Sequence, residues 1–264
     1  MFVEVGHHRS VPRTPFFDRH RQPPIERIGD LVDIKRIDDQ CGLQLAGRRL
    51  VIGVDRLDYT KGLVHRFDAV ERLLEGNPEY RSTVVVLQIA PPSREDVSEY
   101  QRIRAELDAR IGRINGRFGE PDHLPLRYVN RSFRQETLFG FYRASRVAMV
   151  TPLRDGMNLV AKEFVAAQDP EDPGVLVLSR FAGAARELND ALIVNPFDVD
   201  EIADAIDRAL DMPIEERFDR YASLMSRLEQ YDVHAWREDF LNALQRSGRA
   251  PRRTLRWEPY ERVA

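Results

Sequence analysis

Short apolar runs alternate with segments of helical periodicity along most of the chain. The runs have the length and composition of strands that are buried on both faces of a sheet. Between them, apolar residues recur every three or four positions, as on the buried face of an amphipathic helix. The predicted strands are 49–54, 83–89, 126–129, 146–150, 174–178 and 192–194.

The segments between the strands, and the region after the last one, are predicted to be helical. Gly76-Asn77-Pro78 ends the first helix, because neither glycine nor proline continues a helix well. Alternation of strand and helix predicts an α/β fold with a mainly parallel sheet and flanking helices. The predicted helices are 63–75, 97–114, 135–144, 157–167, 182–188, 202–210 and 215–244.

The two ends of the chain lack this alternation. Residues 1–46 carry four prolines among many charges, which predicts an irregular N-terminal extension. Residues 247–264 are rich in arginine and are predicted to form a flexible basic tail. The folded domain is therefore predicted at 47–246, which is long enough to bury a substantial core.

The charge balance excludes several classes of partner. The 40 Lys and Arg residues against 43 Asp and Glu give a net charge of -3, without the basic excess that nucleic-acid or membrane-surface binding favours. No stretch approaches the roughly 20 apolar residues of a spanning helix, and the N-terminus lacks the apolar region of a signal peptide. The single cysteine, Cys41, indicates a reducing compartment, and a cytoplasmic location is predicted.

The loop 55–62 is the first candidate site, because ligands of open parallel sheets bind outside the carboxyl ends of the strands. It places Arg56 and Lys61 between a strand and the N-terminus of a helix. A guanidinium and an ammonium group beside free backbone N–H groups suit a diphosphate. A solvated charged loop is the alternative.

The segment 151–163 is the second candidate site. Gly156 permits close approach of a ligand to the backbone, and the helix that follows offers further N–H donors. Asp155 suits sugar hydroxyls, and Glu163 suits ribose hydroxyls, as acidic residues do in nucleotide sites. The alternative is that Asp155 or Asn158 simply caps the helix.

Arg94 is the third candidate, since it also follows a predicted strand; the alternative is an exposed arginine in the first turn of a helix. Neither a dinucleotide-binding fingerprint nor a P-loop occurs in the sequence. The six histidines show no metal-ligand spacing, so we expect neither a metal ion nor a cofactor.

The three candidates lie within a set of four motifs: VDRLDYTKGL at 54–63, QIAPPSR at 88–94, RING at 113–116 and TPLRDGMNLVAKE at 151–163. Their order and spacing resemble the trehalose-6-phosphate synthase family of retaining glycosyltransferases. The resemblance runs from about Arg49 to about Leu244, and residues 1–46 are not expected to share it.

The resemblance implies a GT-B fold, in which two Rossmann-like domains enclose the active site. The chain matches the C-terminal, donor-binding domain, and the N-terminal domain is expected to be missing. The implied reaction transfers glucose from UDP-glucose to glucose 6-phosphate, giving trehalose 6-phosphate with retained configuration and without a metal. GDP-glucose remains an alternative donor, because pocket shape near Ser132-Phe133 decides base selectivity.

The resemblance also implies a role for each matching residue. Arg56 and Lys61 hold the donor diphosphate, Glu163 holds the ribose, and Arg94 reaches the acceptor. Arg56, Lys61 and Asp155 are the implied catalytic residues. The residues that contact the glucose or the phosphates, or line the donor site, are Asp155, Gly156, Met157, Asn158, Leu159 and Val160.

Three alternatives follow if half of the cleft is missing. The first is a transferase that is completed by a separate chain or in a homo-oligomer. The second is a module that binds UDP or UDP-glucose and transfers nothing, and the third is an inactive remnant. In each case, a face that is normally buried against the other domain is expected to be exposed.

Overall fold

The computed structural model describes residues 45–92 and 98–249. Residues 1–44, most of the predicted basic tail, and Arg94 therefore lie outside the described residues. The strands are β1 (Arg49–Val54), β2 (Val84–Ile89), β3 (Leu126–Val129), β4 (Ser145–Val150), β5 (Val175–Ser179) and β6 (Leu192–Val194). The helices of more than one turn are α1 (Leu63–Gly76), α2 (Ser98–Phe118), α3 (Gln135–Arg143), α4 (Leu159–Ala167), α5 (Val199–Leu210), α6 (Ile214–Gln230) and α7 (Val233–Arg249), and a single helical turn, Tyr80–Thr83, precedes β2.

All six predicted strands are present within one residue at each end, and the predicted α/β fold is confirmed. Two helical predictions needed more than a shift of their ends. The segment 182–188 forms only a short 3-10 turn, Gly183–Arg186, and the segment 215–244 is divided into α6 and α7. Helix α7 also continues to Arg249, which lies inside the predicted tail.

The six strands form one parallel sheet in the order β3-β2-β1-β4-β5-β6. The order reverses direction between β1 and β4, which places the crossovers after these two strands on opposite faces of the sheet. Such a switch point opens a crevice at the carboxyl ends of the strands. The loops that follow β1 and β4 are the two candidate sites predicted from the sequence.

Each face of the sheet has its own apolar core. Alternate residues of a strand point to opposite faces, so Val51 packs on one side and Ile52 on the other. On the first face, α1, α2 and α5 contribute the buried side chains Phe67, Val70, Leu107, Ile114, Ile202 and Ile206. On the second face, α3, α4 and α6 contribute Phe141, Tyr142, Phe164, Val165, Leu224 and Leu228.

Helix α7 leaves a large apolar face exposed. The rings of Trp236 and Phe240 stack on each other with centroids 5.5 Å apart, yet Phe240 is 53% exposed. Val233, Leu241 and Leu244 are exposed beside them. An exposed apolar surface of this kind is typical of a face that another polypeptide covers.

A charged group without exposed surface lies beneath the crevice. Arg66 of α1 is 0% exposed. Its Nε donates to Thr151 Oγ1 at 3.1 Å, and its Nη1 donates to Gln88 Oε1 at 2.8 Å. The same Nη1 lies 2.8 Å from Asp55 Oδ2 without the alignment of a hydrogen bond, so this contact is an ion pair. Arg66 thereby joins the carboxyl ends of β1, β2 and β4.

Gly53 of β1 makes room for this cluster. A Cβ atom at this position would collide with Gln88 Oε1 and would lie 2.7 Å from Arg66 Nη1. We expect Gly53→Ala to lower the free energy of unfolding by about 1–3 kcal/mol, because the added methyl displaces two buried polar groups. Urea denaturation followed by circular dichroism measures this change.

Gly116→Ala is the matched control. Gly116 lies within α2, and nothing stands within 4 Å of the position that its Cβ would occupy. Alanine there is expected to raise the free energy of unfolding by about 0.5–1 kcal/mol, as alanine does in a helix interior. Equal stability of the two variants would show that Gly53 is not constrained by the buried cluster.

Candidate functional site

The loops after β1 and β4 lie side by side and are joined through their backbones. Leu153 N donates to Thr60 O at 2.8 Å, and Arg154 N approaches the same oxygen at 3.3 Å. The two candidate sites predicted from the sequence are therefore one site. It faces the crevice at the switch point of the sheet.

A 3-10 turn, Tyr59–Lys61, shapes the first loop. Asp58 caps this turn, because its Oδ1 accepts hydrogen bonds from the backbone N and from Oγ1 of Thr60, both at 2.8 Å. The Tyr100 hydroxyl donates to the other oxygen of Asp58 at 3.2 Å. The turn brings Lys61 to the second loop.

Lys61 lies between two carboxylates. Its Nζ is 2.6 Å from Asp155 Oδ2 and 3.9 Å from Asp55 Oδ1. The side chains of Lys61 and Asp155 are 16% and 18% exposed, so the pair is only partly screened by water. Burial raises the pKa of the Asp55 carboxyl, although the nearby Arg66 and Lys61 cations lower it in part.

Arg56 follows Asp55 directly and is exposed. Within the described ranges its side chain makes no hydrogen bond or ion pair. The structure therefore brings Lys61 and Asp155 together, while Arg56 stands at the rim of the same loop with its guanidinium group available to a ligand.

Asn158 caps helix α4 and orients Asp155. Its φ of 69° is left-handed, and its Oδ1 accepts a hydrogen bond from Ala161 N at 3.0 Å. Its Nδ2 donates to Asp155 Oδ2 at 3.1 Å, and Met157 N lies 3.4 Å from Asp155 Oδ1. The capping role considered for Asn158 is thus present, and α4 begins at Leu159 and not at the predicted residue 157.

The loop after β5 holds the second candidate loop by backbone contacts. Asp155 N donates to Phe181 O at 3.2 Å, Gly183 N to Asp155 O at 3.0 Å, and Ala184 N to Met157 O at 2.8 Å. A Cβ at Gly183 would collide with the carbonyl of Gly156, so only glycine fits this approach. These contacts explain the short 3-10 turn at 183–186.

Glu163 lies in the second turn of α4, where the Tyr142 hydroxyl is 3.5 Å from its Oε2. Burial raises the pKa of the Glu163 carboxyl, and the Tyr142 hydroxyl lowers it in part. At the start of the helix, Met157 and Leu159 are exposed, and Val160 is partly buried. Large apolar groups exposed around a crevice are typical of a ligand site.

A shallow cavity of about 690 Å³ lies beside Asp155 and Gly156. It extends towards the carboxyl ends of β5 and β6, where Phe181 and Phe197 are exposed with ring centroids 6.1 Å apart. Its lining is basic: Arg154, Arg180 and Arg186, of which Arg180 pairs with Glu201 at 2.9 Å.

Three features of the candidate site escaped the sequence analysis: Arg66, its partner Asp55, and the backbone contacts of 181–184. A signal for Arg66 was present, because it lies on the apolar face of α1 between Leu63 and Val70.

Among residues 45–92 and 98–249, no group of three or more His, Cys, Asp or Glu side chains is placed to hold a metal ion. None of the helices described is long and apolar enough to span a bilayer.

Comparison with known proteins extends the resemblance. The model of glycosyltransferase family 20 matches residues 25–246, so the expectation that residues up to 46 are unrelated to the family was wrong from residue 25 onwards. The trehalose-6-phosphate synthase of Sinorhizobium fredii (strain NBRC 101917 / NGR234) is 55% identical over 197 residues, which are 75% of this chain and 42% of that protein.

Two solved structures have the same fold. The alpha,alpha-trehalose-phosphate synthase (UDP-forming) from Burkholderia xenovorans, in complex with glucose-6-phosphate, is 51% identical with a TM-score of 0.78, covering 84% of this chain and 49% of that one. An E. coli structure described as trehalose-6-phosphate bound with UDP-2-fluoro glucose is 47% identical with a TM-score of 0.78, covering 84% and 50%. The chain spans about half the length of these relatives. With the family model matched over 25–246, the chain belongs to glycosyltransferase family 20.

Proposed function

We propose that the crevice between β1 and β4 binds UDP-glucose as the glucosyl donor of a trehalose-6-phosphate synthase. The observation that carries this proposal is the meeting of Lys61, Asp155 and the N-terminus of α4 at the switch point of the sheet. A cation and free helix N–H groups attract a diphosphate, and a neighbouring carboxylate accepts hydrogen bonds from sugar hydroxyls. The relatives crystallised with glucose-6-phosphate and with UDP-2-fluoro glucose support this assignment.

In the proposed reaction, glucose moves from UDP-glucose to glucose 6-phosphate with retained configuration and without a metal. Lys61, Arg56 and the α4 N-terminus stabilise the negative charge that develops on the departing diphosphate. Retaining glycosidases employ a carboxylate nucleophile. Here Asp155 is held by Lys61 and Asp55 is buried, which favours a route in which the acceptor attacks on the face that the diphosphate leaves.

Glu163 is proposed to accept hydrogen bonds from the ribose, and Arg94 to contact the acceptor. Met157, Asn158, Leu159 and Val160 are proposed to surround the glucose and the phosphates together with Gly156. UDP-glucose is preferred over GDP-glucose as the donor because a UDP-forming synthase is among the similar structures.

The first test is calorimetric titration of the 264-residue chain with UDP. We expect binding by the unmodified chain, and about a hundredfold or greater loss of affinity in Arg56→Ala/Lys61→Ala. The physical reason is that each hydrogen bond to a charged group contributes about 1.5–3 kcal/mol.

Arg117→Ala/Arg208→Ala is the matched control for this titration. It removes the same formal charge from the last turns of α2 and α5, and both of these arginines form ion pairs at the surface. The control should bind UDP like the unmodified chain. A folded chain that binds no UDP would refute the donor site and leave an inactive remnant.

The other half of a family 20 synthase is proposed to complete the catalytic cleft. The chain spans about half the length of its relatives, and the exposed apolar face of α7 supports a partner that covers it. Enclosure by a partner would supply the acceptor position and exclude water from the reacting groups.

We therefore expect the 264-residue chain alone to form no trehalose 6-phosphate, and to form it when the remaining half of a family 20 synthase is added as a separate chain. Chromatographic detection of the product measures this. In the mixture, Lys61→Ala should lower the rate by about a hundredfold or more, because a donor to the developing charge is lost. Robust synthesis by the chain alone would contradict the need for a partner.

The partly buried carboxylate of Glu163 is expected to lower the free energy of unfolding at neutral pH. Because its folded pKa is raised, its contribution to stability is full below the ordinary carboxyl pKa and is lost as the pH rises through the raised value. Glu163→Gln is therefore expected to unfold at higher urea than the unmodified chain at pH 7, with a smaller difference at pH 4. The same variant should bind UDP more weakly.

The exposed Glu229 at the end of α6 provides the control, and Glu229→Gln should change neither stability nor UDP affinity. If Glu163→Gln lowered stability at pH 7, the carboxylate would be a structural group and not a ligand-binding one.

A further inference from the structure

The cation that the proposed donor site offers to a diphosphate is already paired. Lys61 Nζ lies 2.6 Å from Asp155 Oδ2, and both side chains are less than one-fifth exposed. A diphosphate that entered this site would meet the carboxylate of Asp155 beside the ammonium group. Lys61 therefore has to change partner before it can bind the phosphates fully.

The oxygens of Asp155 are occupied as well. Oδ2 accepts from both Lys61 and the Nδ2 of Asn158, while Oδ1 faces Met157 N. An ionised carboxylate has about four lone-pair positions. The contact to Lys61 is the one between two charged groups, so the release of Lys61 leaves Oδ2 with the Asn158 amide and with capacity for one further donor.

We propose an exchange of partners at Lys61: when the donor binds, Lys61 leaves Asp155 and pairs with the donor's diphosphate. The phosphates take the ammonium group, and the freed Oδ2 of Asp155 accepts a hydrogen bond from a hydroxyl of the glucosyl group. Asp155 is then a specificity-determining residue. It opposes binding of a nucleoside diphosphate without sugar, because it competes for Lys61. When the sugar is present, its hydrogen bond to the glucosyl hydroxyl offsets this loss of affinity. This inference rests on the proposed donor function.

The surrounding charges favour this exchange. Asp55 Oδ1 lies 3.9 Å from Lys61 Nζ, but the Asp55 carboxylate also pairs with the buried Arg66. Asp55 can therefore keep Lys61 near the crevice without neutralising it as closely as Asp155 does. The exposed Arg56 adds a second positive charge at the rim of the loop for the incoming diphosphate.

The test is calorimetric titration of the 264-residue chain and of Asp155→Asn with UDP and with UDP-glucose. Asparagine has nearly the shape of aspartate but cannot hold Lys61 as an ion pair. We expect Asp155→Asn to bind UDP about two- to fivefold more tightly, the range of a partly exposed ion pair. The preference for UDP-glucose over UDP should fall, because the acceptor for the sugar hydroxyl is weakened.

Lys61→Ala and Lys61→Ala/Asp155→Asn complete a double-mutant cycle. If Asp155 acts by holding Lys61, then Asp155→Asn should gain little UDP affinity when Lys61 is absent. A gain of the same size in that background would overturn the exchange, since Asp155 would act only by repelling the phosphates. Thermal unfolding of each variant shows whether it is folded.

The failures of the two proposals are distinguishable. No binding of UDP or UDP-glucose by the folded, unmodified chain would refute the donor site itself, and with it the exchange. Binding by the unmodified chain with unchanged or weaker UDP affinity in Asp155→Asn would overturn the exchange and leave the donor site standing.

Discussion

A guanidinium group that is taken out of water must be matched by fixed partners, and breaking a buried pair of charges typically costs about 3–5 kcal/mol. Arg66 meets most of this constraint through Asp55, Gln88 and Thr151, at the ends of three different strands, while its Nη2 has no hydrogen-bond partner among the described residues. Gly53 remains without a side chain so that the cluster fits. The relative positions of the loops after β1 and β4 depend on this contact, because both loops begin at its members.

The site above the cluster is arranged so that opposite charges neutralise each other. Lys61 is positioned by the turn that Asp58 caps, and Asp155 is positioned by the amide of Asn158. Neither loop has a complete site by itself, because the cation comes from the first loop and the carboxylate from the second. The hydrogen bonds from Leu153 and Arg154 to Thr60 keep the two loops at the distance where the charges meet.

Sequence periodicity predicted the strands well, because strands buried on both faces form continuous apolar runs between polar loops. It also placed the candidate residues of 55–62 and 151–163 on loops that meet in the structure, since parallel strands bring their carboxyl ends to one edge. The pairing of Lys61 with Asp155 could not be predicted, because it depends on strand order, which periodicity does not contain. The helix predicted at 182–188 failed for a related reason: the backbone there pairs with residues 155–157, which are distant in sequence. Arg94 lies outside the described residues, and its proposed role still rests on the resemblance alone.

The backbone contacts between 155–157 and 181–184 also make the course of the loop independent of the side chains that it presents. The loop path is fixed by N–H and carbonyl groups, with glycine required at 183 where the two backbones approach. The side chains of Arg154, Met157 and Phe181 are exposed on this framework. Substitutions at these three positions can alter the chemistry of the crevice while the loop keeps its course. The course of the loop and the surface that it presents can therefore be changed independently of each other.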